Sequence, residues 1–68
     1  MPDNELVTGD RGEKVAVLQR RLNALGESLE VDGIFGTGTR AAVVAFQAAN
    51  GLKADGVVGP KTWAKLGV

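Results

Sequence analysis

The sequence predicts an all-α domain, a compact three-helix bundle with an internal loop–helix repeat. Three observations predict it. Apolar residues recur at steps of three and four in separate stretches, the period of a helix with one buried face. Glycine closes two of these stretches and proline opens the third, the usual asymmetry of helix ends. The pattern D-G-x-x-G-x-x-T occurs twice, beginning at Asp32 and at Asp55, 23 residues apart. A repeat of that size in a chain of 68 residues governs how the rest is arranged.

The repeat reads Asp32-Gly33-Ile34-Phe35-Gly36-Thr37-Gly38-Thr39 and Asp55-Gly56-Val57-Val58-Gly59-Pro60-Lys61-Thr62. An Asp side chain accepts a hydrogen bond from a backbone amide two residues on, closing an Asx turn. The Gly that follows tolerates positive φ. The next two positions are apolar in both copies and anchor the turn, and the second Gly lets the chain enter a helix. Pro60 falls at the first helical position, where its fixed φ fits and its missing N–H costs nothing. Thr39 and Thr62 fall in the first turns.

In order along the chain, residues 1–5 are expected to form a disordered leader, and 6–68 the domain. Helices are predicted over 11–25, 37–50 and 60–66. In the first, Asp10 and Glu13 have capping-box spacing, Val15, Leu18, Leu22 and Leu25 form the apolar stripe, and Gly26 ends it. The second is apolar on most sides, as a helix enclosed by others is, and Asn50-Gly51 ends it with Leu52 folding back. Leu18, Leu22, Val43, Phe46, Trp63 and Leu66 are the expected core. Gln19 and Gln47 follow apolar residues in the matching patterns Val15-x-x-Leu18-Gln19 and Val43-x-x-Phe46-Gln47. At that phase an amide can reach across and bond a loop backbone.

Composition excludes much chemistry. With no His and no Cys, neither a Cys/His zinc site nor a Ser-His-Asp or Cys-His nucleophile can be built. No cofactor and no metal are expected. Eight basic and eight acidic residues cancel, which argues against the concentrated positive footprint of a nucleic-acid binder. No apolar run approaches the ~20 residues of a membrane span. The first six residues carry no signal-peptide core, so the chain is expected to stay inside its cell, leave by another route, or be a module of a longer chain. Asp32 and Asp55 serve better as turn caps than as a glycosidase pair. A binding or interaction module is the default.

The ordered set Gly9-Asp10-Arg11-Gly12, Val15, Leu18-Gln19, Leu22, Gly26, Asp32-Gly33, Phe35-Gly36, Thr39, Ala42-Val43, Phe46-Gln47, Gly51-Leu52, Asp55 to Gly59 and Thr62-Trp63 resembles the peptidoglycan-binding domain 1 family. The likeness runs from about Leu6 to Leu66. It implies a three-helix, non-catalytic targeting module attached to cell-wall hydrolases, working at the cell wall, in the periplasm or outside the cell. Gly38 departs from it, since many members carry Lys or another polar residue there.

The partner expected on this resemblance is peptidoglycan, by its glycan or its stem peptide, together with a hydrolase domain in the same longer chain and no nucleic acid or membrane. The domain is expected to be a monomer. The candidate ligand-binding residues are Arg11, Asp32, Phe35, Arg40 and Asp55, grouped around the two loops and the helix starts. The competing reading is a protein-interaction or pro-region-like domain that packs on a neighbouring enzyme.

Overall fold

The computed structural model describes residues 5–67. Three helices follow in order: α1, Glu13–Ala24; α2, Thr37–Ala49; and α3, Pro60–Leu66. Among the described residues there are no strands, only two isolated antiparallel bridges, Leu6 with Val58 and Arg11 with Ile34. The all-α reading holds. Residues 1–4 of the expected leader lie outside the described residues, and Glu5 is exposed.

The start of α1 differs from the capping-box expectation. Its N-cap is Gly12, with no side-chain cap. The Asp10 carboxylate instead accepts from the Val7 N–H at 2.9 Å, closing a turn that precedes the helix. The reason lies in what residues 9–12 do: they run alongside the first loop. Gly9 N–H donates to the Phe35 carbonyl, Phe35 N–H to that of Asp10, and Gly12 N–H to that of Gly33, each at 2.9 Å. Residues committed to that pairing cannot also be helical. Gly33 is required twice over here, by a φ of +72° and by a Gly12 carbonyl that would lie 3.2 Å from a Cβ.

Upstream, Leu6 is buried and exchanges backbone hydrogen bonds with Val58 at 3.1 and 2.9 Å. Residues 6–12 thus form a strap that ties both loops down, Val58 at one end and Ile34 at the other. The C-termini of α1 and α2 close as predicted, in Schellman motifs. Glu27 N–H donates to Leu22 carbonyl at 3.1 Å, with Gly26 left-handed; Leu52 N–H donates to Gln47 carbonyl at 2.9 Å, with Gly51 left-handed.

Leu18, Leu22, Val43, Trp63 and Leu66 are buried together, as expected, and Val15, Leu6, Phe35 and Val58 join them. Phe46 does not: it is half-buried and packs on the flank of the cluster. The inward stripe of α2 is Thr39, Ala42, Val43 and Gln47, so the amide of Gln47 holds the position that hydrophobicity assigns to its neighbour. The loop adds a buried aromatic ring of its own, Phe35, to the Trp63 that α3 supplies. Arg21 on α1 donates from Nε to the Leu66 carbonyl and so fixes the end of α3 to α1.

Candidate functional site

Each loop is held from behind by a buried glutamine of the preceding helix. Gln19 Nε2 donates to Asp32 Oδ1 at 3.0 Å, to the Ile34 carbonyl at 3.0 Å and to Thr39 Oγ1 at 3.1 Å. Its Oε1 accepts from Gly33 N–H at 2.9 Å. Gln47 makes the same set: Asp55 Oδ1 at 3.3 Å, Val57 carbonyl at 2.8 Å, Thr62 Oγ1 at 3.1 Å, and Gly56 N–H onto Oε1 at 3.0 Å. Both aspartates close their Asx turns, accepting from Ile34 and Val57 N–H at 3.0 Å. The amide-to-backbone bonds were legible in the sequence. That Asp and Thr of each motif bond the same amide was not, although their fixed spacing from the glycines was the available signal.

These bonds stabilise the ionised carboxylates. Asp32 is held below its ordinary value of 3.8, first by the Ile34 N–H and then by Gln19. Asp55 is held below 3.8 by the Val57 N–H, with desolvation opposing and Gln47 and Lys53 assisting. The folded values lie below the unfolded ones, so this stabilisation is complete above about pH 4 and is lost as pH falls through the lowered folded values. The urea midpoint is therefore expected to drop as pH falls from about 4 to about 2, and to drop less in Asp32→Asn/Asp55→Asn. Equal acid sensitivity of parent and double variant would contradict it.

The five candidate residues do not converge on one pocket. Arg11 and Asp32 share an open cleft of about 430 Å³ with Arg20, Val31 and Ile34. Asp55 lines a separate cleft, also about 430 Å³, with Lys53 and Lys61. Arg40 leaves α2 beside the first loop and lays its side chain across the second: a Cβ on Gly56 would meet its stem and guanidinium at 3.0–3.2 Å. Phe35 is 1% exposed, so it supports the loop from the core and presents nothing to a ligand. Lys53, Lys61 and the exposed Ile34 and Val31 were not singled out from the sequence. They lie beside or within the repeated motif, and comparing its two copies position by position would have found the lysines.

Among the described residues no group of three or more Asp or Glu is gathered as a metal site, and no helix is long and apolar enough to cross a membrane. Residues 11–66, which include both Gln-braced loops, match the family described as "Putative peptidoglycan binding domain". The chain belongs to this family.

Solved relatives agree with it in structure. The Burkholderia AP3 phage endolysin is 54% identical with a TM-score of 0.92, over 96% of this peptidoglycan-binding domain and 25% of that chain. A peptidoglycan-binding protein from Clostridioides difficile is 42% identical with a TM-score of 0.95, over 97% of this chain and 42% of that one. The zinc D-Ala-D-Ala carboxypeptidase of Streptomyces albus G is 47% identical over 64 residues, 90% of this chain and 25% of the relative. The domain spans half or less of the curated relatives it matches, 50% of a Kitasatospora aureofaciens protein and 25% of the carboxypeptidase. It is a module of the kind found in cell-wall hydrolases, amidases, carboxypeptidases and endolysins, whose catalytic parts lie outside it.

Proposed function

We propose that this domain works at the cell wall as a non-catalytic anchor, holding a hydrolase domain of a longer chain on peptidoglycan. The observation that carries the non-catalytic reading is how Asp32 and Asp55 are used. Each is committed to its own turn, accepting from a loop backbone N–H and from the buried glutamine behind it. Anchoring needs no tight intrinsic affinity, because tethering raises the effective concentration of the enzyme at its polymer.

The binding face in this reading is the surface of the two loops, with Arg11, Asp32, Arg40 and Asp55 on it. Arg40 is the natural probe. It is exposed, spans from α2 to the second loop, and offers a guanidinium suited to carboxylates. Arg40→Ala is expected to shift the melting temperature by less than about 4 °C, because it removes a surface side chain without opening the core. Its sedimentation with purified sacculi should weaken. Sedimentation equal to the parent's would remove Arg40 from the face, and a parent that stays in the supernatant would overturn the anchoring role.

One observation favours the protein-interaction reading as a second choice. A groove of about 520 Å³ runs between α1, α2 and α3, lined by the half-buried Phe46, Ala49 and a Leu25 that is 47% exposed. It lies on elements other than the two loops, so an adjoining enzyme domain could pack there while the loop face meets the wall.

A further inference from the structure

The two repeated loops each form the wall of a cleft, and the loop residues that line the two clefts match at an offset of 23 residues. Leu29 answers to Leu52, Asp32 to Asp55, and Thr39 to Thr62. The polar atoms that the clefts share are already used. Gln, Asp and Thr bond one another and the loop backbone in both copies. What distinguishes the clefts is therefore their rims. Where the first has Glu30 the second has Lys53, and where the first has Gly38 the second has Lys61.

The first cleft, about 280 Å³, is lined by the carboxylates of Glu30 and Asp32 and by no cation. The second, about 430 Å³, carries two ammonium groups beside Asp55 and Glu5. Neither lysine makes a hydrogen bond or a close ion pair among the described residues, although the charge of Lys53 is felt by Asp55 across the cleft. Glu5 is placed over the rim: a Cβ on Gly59 would lie 3.6 Å from its Oε2. The second cleft thus offers two donors for an anion and, in Glu5, a carboxylate acceptor for an adjacent N–H group. That is the polarity of a peptide end, where a carboxylate follows amide N–H groups, and not of an uncharged sugar.

We propose that the second cleft is a subsite for the free carboxylate of a short peptide, bound by Lys53 and Lys61, and that the first cleft, built alike, rejects the same group. Its biological source, the stem peptide of peptidoglycan, rests on the anchoring function proposed above. The carboxylate selectivity itself rests only on the two rims.

The test is a titration of the isotopically labelled 68-residue chain, followed by amide chemical shifts, with N-acetyl-D-alanyl-D-alanine and with its C-terminal amide. The acid should move the amides of Lys53, Asp55, Gly59 and Lys61, and leave Glu30 and Gly38 in place. The amide should respond several-fold more weakly. Each lysine is exposed, so each should contribute roughly a 1.5- to 5-fold change in affinity. Lys53→Glu/Lys61→Gly, which copies the first rim onto the second, should weaken the response at least about 2- to 25-fold, the product of the two contributions, with an otherwise native spectrum; Lys53→Gln/Lys61→Gln serves if that variant misfolds. Shifts centred on the first cleft, equal response to acid and amide, an unaffected double variant, or no shift at all would each overturn the subsite. Sacculi sedimentation separates the two proposals. A parent that sediments while the double variant sediments equally well overturns the subsite and leaves the anchor. A parent that fails to sediment overturns the anchor, and the peptide titration still decides the subsite.

Discussion

Phe35→Ala is expected to cost about 3–5 kcal/mol, the range for removing a large aromatic from a packed core. A chain of 68 residues has a total stability of roughly 3–10 kcal/mol at ordinary per-residue values, so this one change should remove from about a third to all of it. The magnitude follows from where the ring sits. Phe35 is 1% exposed, and its backbone N–H and carbonyl are both bonded to the strap, to Asp10 and Gly9. Those bonds prevent the loop from collapsing into the space left behind, and a site that cannot collapse retains its cavity. Phe46→Ala should cost less, because that ring is half-buried on the flank of the cluster. Urea denaturation of the two variants checks the order. A Phe46→Ala midpoint lower than that of Phe35→Ala would show that the core is centred on α2 instead.

The contrast between these two rings marks what could be read from the residues. The helices were legible because their signals are local. Apolar steps of three and four set α1 and α2, Gly26 and Gly51 set their ends, and Pro60 set the start of α3. Phe46 was misplaced because helical phase alone cannot rank two adjacent positions, one apolar and one polar, when the polar one is satisfied. Gln47 makes four hydrogen bonds and so can occupy the inner position without penalty. Leu6 was expected to tuck back onto the body and does, but the pairing of the strap with both loops was missed for a different reason. Leu6 and Val58 are far apart in sequence, and a single pair of backbone bonds leaves no periodicity to detect. For the site, the turn chemistry of Asp32 and Asp55 followed from residue type. The spatial separation of Arg11 from Asp55 followed only from the path of the loops around the bundle.

Gln47→Leu should cost about 2–4 kcal/mol, although it exchanges a polar residue for an apolar one of similar size in the interior. Hydrophobic burial alone argues for a gain, so the sign of the change decides between two accounts. In the structure the Gln47 amide accepts from the buried Gly56 N–H and donates to Thr62 Oγ1, the Val57 carbonyl and Asp55 Oδ1. Leucine would leave the Gly56 donor unpartnered, and an unsatisfied buried donor costs on the order of 1–3 kcal/mol by itself. The loss of the Thr62 and Val57 bonds adds to this and frees the loop from α2. Gln47→Glu sharpens the test. It keeps an oxygen for Gly56 but places a carboxylate against Asp55, so its folded pKa should be raised by like charge and burial. Its destabilisation should therefore grow as pH rises above about 4.3, opposite to the acid sensitivity of the parent. Chemical denaturation across this range reads both effects. A Gln47→Leu domain as stable as the parent, or a Gln47→Glu domain that follows the parent's pH dependence, would show that the loops hold their shape without the glutamine.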